Sequence, residues 1–82
     1  MSHRQHVLQL SAERARRGVT LEQIRESTKI GLFFLRAIED GEYHKLPGGI
    51  YNTSYIRQYA QAVGVDESLL LQEYRQSVQA EA

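Results

Sequence analysis

Residues 20–43 read TLEQIRESTKIGLFFLRAIEDGEY, and this stretch decides the fold. Thr20 followed by Gln23 three residues later forms a capping box, which predicts the start of a helix. Residues 27–29 predict a turn, and a second helix then runs to a stop at Gly41, since glycine accepts the left-handed conformation that ends many helices. Two short helices joined by a tight turn are the pattern of a helix-turn-helix.

The second of these helices lacks the side chains that read DNA. Base edges are read by hydrogen bonds from residues near the start of this helix, but residues 31–34 are GLFF. Lys29 and Arg36 are the hydrogen-bond donors in this region. The 3.6-residue period predicts that Leu32 and Phe33 face outward, where they form a candidate protein contact. The inward positions expected on the same helix are Ile30, Phe34, Leu35 and Ile38.

Length and composition indicate one ordinary globular domain. The 82 residues are 41% apolar and 24% charged, which fits a single domain over 1–82 with an ordered core at about 6–77. No apolar run approaches the roughly 20 residues needed to cross a bilayer. Without cysteine, the sequence has no disulfide or thiolate chemistry.

Charge is balanced overall but divided along the chain. Residues 1–38 contain seven Arg or Lys and three acids, a net charge of +4, whereas residues 39–82 contain three and seven, a net charge of −4. The basic half keeps open a second interpretation, a DNA-binding regulator that contacts phosphate. Its candidate residues are Lys29, Arg36, Arg14, Arg16 and Arg17.

The remaining pattern is also helical. A first helix is expected from about His6 to Arg17, a fourth from about Ile50 to Val63 ending at Gly64, and a fifth after the N-cap Asp66, fraying beyond Gln76. In the first helix the expected inward residues are Val7, Leu10 and Ala15. The prediction is therefore an all-α, compact five-helix bundle containing a repressor-like helix-turn-helix.

Tyrosines line one side of the fourth helix. Tyr51, Tyr55 and Tyr59 recur every fourth residue, beside a stripe that fits the core better, so their rings are expected at the core's edge with hydroxyls toward solvent. Packing is the preferred interpretation for Tyr51. Tyr55 and Tyr59, with Arg57 and Gln58 beside them, are the candidate protein-binding residues.

Catalytic and metal-binding patterns are not found in the sequence. His3 and His6 lie three residues apart without further ligands, and His44 lies in a predicted loop. No nucleophile is placed beside a base and an acid. We expect neither an enzyme nor a cofactor or metal site.

Several segments together resemble the cytoplasmic domain of the RodZ family, over about residues 8 to 75. The matching residues are Leu10, Arg14, Gly18-Val19-Thr20-Leu21-Glu22, Thr28-Lys29-Ile30, Leu35-Arg36-Ala37-Ile38-Glu39-Asp40-Gly41, Leu46-Pro47, Tyr51, Tyr55-Ile56-Arg57, Tyr59-Ala60 and Val63-Gly64-Val65-Asp66. The most specific part runs from Ala37 through Leu46-Pro47 to Tyr59-Ala60.

This resemblance implies a function. RodZ proteins are single-pass membrane proteins whose cytoplasmic helical domain binds the actin-like filament protein MreB in bacterial cell-shape control. The family contact uses an aromatic pair on the fourth helix, which corresponds here to Tyr55 and Tyr59. The chain differs from the family pattern at Ser54, where glycine is usual, and at Tyr55, where phenylalanine is usual. The resemblance implies a cytoplasmic location, at the inner membrane only through a segment that these residues do not include.

Overall fold

The capping chemistry expected of residues 20–43 is present in the structure, a computed structural model that describes residues 9–81. Thr20 Oγ1 accepts the backbone N–H of Gln23 at 3.1 Å, and the side-chain oxygen of Gln23 accepts the Thr20 N–H at 2.9 Å. The capping box is therefore confirmed, and it satisfies two amides at the start of a helix, where backbone N–H groups lack partners within the helix.

The described residues form five α-helices and a short 3-10 helix. In chain order they are α1 (Leu10–Arg16), α2 (Leu21–Thr28), α3 (Leu32–Asp40), the 3-10 helix (Tyr43–Lys45), α4 (Ile50–Val63) and α5 (Glu67–Glu81). The all-α, five-helix prediction is confirmed, and α4 has its predicted bounds. The expected start of α1 at His6, with Val7, lies outside the described residues. α5 continues past Gln76, where fraying is predicted, and ends at Glu81.

The turn of the helix-turn-helix is closed by one hydroxyl. Thr28 Oγ1 donates to the carbonyl of Ile24 at 2.7 Å and accepts the N–H of Ile30 at 3.1 Å. Lys29 adopts the left-handed conformation with φ 66°, which reverses the chain between α2 and α3. Ile30 is buried, so its predicted place at the corner is confirmed.

The helices enclose one apolar core. Its buried apolar members are Leu10, Ile24, Ile30, Leu35, Ala37, Ile38, Tyr43, Leu46, Ile56, Tyr59, Ala60, Val63, Leu70 and Leu71. Phe34 is partly buried against them. Ala15 is exposed, which corrects its expected inward position. It lies about 140° around the helix from Leu10, and Arg14 turns inward instead.

A buried polar network joins α1, α3 and α4. The Arg14 guanidinium is paired with the Glu39 carboxylate, and it also donates to the carbonyl of Val19 at 3.0 Å. The Tyr59 hydroxyl donates to Glu39 Oε2 at 2.7 Å. Glu39 is only 6% exposed, so these donors supply the partners that a buried carboxylate needs.

Tyr59 therefore differs from its expected position at the edge of the core. Its side chain is 0% exposed, because residue 59 shares a face of α4 with Ile56, Ala60 and Val63. Burial, followed by the hydrogen bond to Glu39, raises the pKa of Tyr59 well above its ordinary value. The hydroxyl stays protonated and donates to a buried acceptor, so the ring is not available to touch a partner of the folded domain.

A second polar cluster fixes the start of α4. Asn52 Oδ1 accepts the Gly48 N–H at 2.7 Å, and its Nδ2 donates to the Tyr74 hydroxyl of α5 at 3.1 Å. The rings of Tyr43 and Tyr74 meet edge to face, 5.4 Å apart. These contacts hold the first turn of α4, which carries Tyr51, to the rest of the fold.

The stability of the domain is expected to depend on Arg14, the cation of the buried network. We expect Arg14→Ala to lower the free energy of unfolding by about 3 kcal/mol or more, because it leaves Glu39 buried without its cationic partner. The control is Arg16→Ala, whose exposed side chain is paired with Glu13 on the same helix and is expected to change stability by less than about 0.5 kcal/mol. Urea unfolding followed by circular dichroism measures both, and equal effects would contradict a stabilising network.

Candidate functional site

Four aromatic rings form a continuous strip across α3 and α4. The ring centroids of Phe33 and Phe34 are 5.3 Å apart, those of Phe34 and Tyr55 5.7 Å, and those of Tyr55 and Tyr51 6.1 Å. Phe33 is 59% exposed and Tyr51 58% exposed, while Phe34 and Tyr55 are partly buried against the core. This aromatic strip thus has exposed ends and a middle fixed by the fold.

Such a surface is unusual for a small domain without a partner. Exposed aromatic rings that touch one another mark interaction sites more often than scattered apolar residues do. Because the central rings are packed on the core, the exposed rings lose little conformational freedom when a partner binds. The strip is suited to insertion into an apolar site on another protein.

The outward pair predicted on α3 is only half correct. Phe33 faces solvent as expected, but Leu32 is partly buried against the core. Leu32 is the first residue of α3, where the turn closed by Thr28 brings the chain back toward the bundle. Leu32 therefore contributes mainly to packing.

On α4, the predicted site residues divide between surface and structure. Tyr55 is half-buried within the aromatic strip, as expected of a ring at the core's edge. Arg57 is exposed and pairs with Glu67 at 3.6 Å. Gln58 donates to Ser54 Oγ at 3.1 Å, so the serine at this position serves as a local acceptor.

Tyr51 is predicted from the sequence to pack against the bundle, but in the structure it is exposed. Its predicted packing role is wrong, since the residue is mostly exposed and its ring meets that of Tyr55 at the surface. Ile50, the residue before it, is also exposed. Ile50 and Tyr51 lie in the first turn of α4. In the sequence, the i, i+4 spacing of Tyr51 and Tyr55 indicates that these two tyrosines share a surface.

Most of the cations predicted to contact phosphate form ion pairs with carboxylates of the same chain. Arg14 is held by Glu39, and Arg16 and Arg17 both pair with Glu13. These two arginines lower the pKa of the Glu13 carboxyl through hydrogen bonds. Arg17 also donates at 2.7 Å to the carbonyl of Gly64, the positive-φ glycine that ends α4. Arg14 and Arg17 therefore hold α1 against its neighbours, and Arg16 pairs within α1.

Lys29 and Arg36 differ from that cluster. Both are exposed, and within residues 9–81 neither is found in an ion pair. They lie in the turn before α3 and on its second turn, on either side of Phe33 in sequence. The sequence placed them correctly at the exposed start of α3.

Residues 9–81 show neither a metal-binding cluster nor a membrane-spanning helix. The described part of the chain contains no group of three metal-ligating side chains, and His44 is exposed in the 3-10 helix. His3 and His6 lie outside it. None of the helices between residues 9 and 81 has the length and apolar content of a membrane span.

The capped turn, the buried corner isoleucine and the short second helix define a helix-turn-helix domain. A family model described as a helix-turn-helix domain matches residues 9–70, and the chain belongs to this family. Its relatives make the assignment more particular, as a RodZ-like helix-turn-helix domain, which confirms the resemblance seen in the sequence.

Two relatives carry that assignment. The chain is 37% identical over 60 residues to the "Uncharacterized membrane protein YmfM" of Bacillus subtilis strain 168, covering 73% of this chain and 21% of the relative. It is 34% identical over 65 residues to the "Cytoskeleton protein RodZ" of Streptococcus pneumoniae strain R6, covering 79% of this chain and 24% of the relative. The chain thus matches about a quarter or less of each relative's length. No solved structure matches it significantly.

The aromatic strip predicts a contrast between adjacent phenylalanines. Phe34→Ala should lower the free energy of unfolding by about 2 kcal/mol, because it removes a ring packed on the core. Phe33→Ala should change it by less than about 1 kcal/mol, since that ring is mostly in solvent. Thermal and urea unfolding compare the two variants. A larger cost for Phe33 would show that its ring belongs to the core.

Proposed function

We propose that this domain is a non-catalytic interaction module that binds an MreB-like actin homologue and acts in bacterial cell-shape control. The observation that carries the proposal is the aromatic strip, whose Phe33 end lies where a DNA-reading helix would present polar side chains. The kinship with a protein named as a cytoskeleton protein supports the kind of partner.

In this proposal the strip inserts its two exposed ends into the filament protein. Phe33 and Tyr51 supply the accessible area, and aromatic residues dominate the binding energy of many interfaces. Tyr55 connects them from a half-buried position. The contact thus extends beyond α4 to include the first turn of α3.

Tyr59 has a supporting role in this scheme. Its ring has no exposed surface, and its hydroxyl binds Glu39 on α3. It fixes how α4 lies against α3, and therefore where Tyr55 meets Phe34. A change at Tyr59 would weaken binding by displacing the strip, without removing a direct contact.

Location follows from the same kinship. One relative is named as a membrane protein, and the chain covers 21% of it. We propose that the domain works at the cytoplasmic face of the membrane, through a segment outside these 82 residues. The filament protein would then be recruited to that face.

DNA binding is the second candidate, and one observation favours it. Lys29 and Arg36 are exposed at the start of α3, where a helix-turn-helix approaches the major groove. Proteins that neutralise several phosphates bind duplex DNA with a steep salt dependence. Two available cations would give only a shallow salt dependence and weak phosphate binding, so DNA binding ranks second.

Co-sedimentation with purified MreB filaments tests the proposal. We expect the double variant Phe33→Ala, Tyr51→Ala to bind at least ~30-fold more weakly, since loss of a central aromatic contact costs about 2 kcal/mol. The matched control is Leu69→Ala, Val78→Ala, which removes apolar side chains of α5 that are 50% and 45% exposed. This control should bind like the unmodified domain.

Two results would contradict the proposal. One is filament binding that the aromatic double variant leaves unchanged while circular dichroism shows it folded. The other is tight binding of duplex DNA at physiological salt that is lost in Lys29→Ala, Arg36→Ala. The second result would favour the regulator instead.

A further inference from the structure

We infer that the partner surface carries carboxylates beside the apolar site that receives the aromatic strip, and that Lys29 and Arg36 recognise them. This inference rests on the proposed function and deepens it, because it states the chemistry of the partner rather than only its class.

The first support is that most cations of the N-terminal half already form ion pairs within the domain. Between residues 9 and 40 there are six: Arg14, Arg16, Arg17, Arg25, Lys29 and Arg36. The first four are each paired with a carboxylate of the same chain. Lys29 and Arg36 are the two for which the described residues show no ion pair. Their charges thus remain available to a partner.

The second support is the position of Arg36 next to the strip. Arg36 follows Phe33 by three residues, one turn along the same face of α3, and both side chains line a surface cleft of about 300 Å³. The cleft is also lined by Asp40, Glu42 and Lys45. Lys45 is paired with Glu42 at 2.9 Å, so Arg36 is the cation without an ion pair among the described residues of this cleft. Lys29 lies in the turn four residues before Phe33.

The third support is that a carboxylate suits this arrangement better than a phosphate backbone. Duplex DNA is bound by neutralising several phosphates, and this surface offers two cations without an ion pair among the described residues. An exposed apolar ring with a cation one helical turn after it, and another cation in the preceding turn, instead matches a protein surface with an apolar site and an acidic rim. Arginine also forms bidentate hydrogen bonds with carboxylates.

Charge reversal at matched positions tests this inference. Arg36→Glu should weaken co-sedimentation with MreB filaments about tenfold at low salt, and Lys29→Glu, Arg36→Glu should weaken it further. The control is Arg75→Glu on α5, an exposed arginine with no ion pair in the described residues, which changes the net charge equally. Binding of the unmodified domain should fall as salt rises, and this dependence should flatten in Arg36→Glu.

The outcomes separate the inference from the function on which it rests. If the unmodified domain binds and Phe33→Ala, Tyr51→Ala does not, but Arg36→Glu behaves like Arg75→Glu at every salt concentration, the acidic-rim inference is overturned and the proposed function stands. If the unmodified domain does not bind filaments, both are overturned. If Lys29→Glu, Arg36→Glu loses only duplex DNA binding, the cations recognise phosphate and the inference is wrong.

Discussion

The ion pair between Arg14 and Glu39, with the Tyr59 hydroxyl as a further donor, fixes the relative positions of three helices. Glu39 lies on α3, Arg14 on α1 and Tyr59 on α4, so one buried carboxylate specifies how these elements pack. A carboxylate this far from water is tolerated only with good partners, which restricts the arrangements open to the helices. The apolar core then fills the space around this group.

The aromatic strip depends on that constraint. Phe34 on α3 and Tyr55 on α4 touch only if the two helices keep their present crossing, and Tyr59 holds α4 to α3 one turn further along. The rings at the ends, Phe33 and Tyr51, are then presented from fixed backbones. A scaffold associated with reading DNA is in this way suited to hold an apolar protein contact, because the residues that set the fold are separate from those that face solvent.

Local signals in the sequence predicted much of the fold. The capping box at Thr20, the stop at Gly41 and the bounds of α4 each depend on residues adjacent in the chain, and each is found in the structure. The burial of Glu39 was not predictable in this way, because its partners are 25 and 20 residues away and carboxylates are usually exposed. The same limit explains the tyrosines of α4. Their spacing showed that they share a side of the helix, but not that Tyr59 has a buried acceptor and Tyr51 has open solvent.

We propose that the aromatic strip forms the main contact with the protein partner. Amide chemical-shift mapping of the labelled domain during titration with polymerisation-blocked MreB tests it most directly, because it reports on every backbone position at once. We expect the largest shifts in the first turns of α3 and α4, around Phe33 and Tyr51, and at Arg36. Shifts concentrated on α5 around Leu69 and Val78, or none at saturating partner, would contradict it.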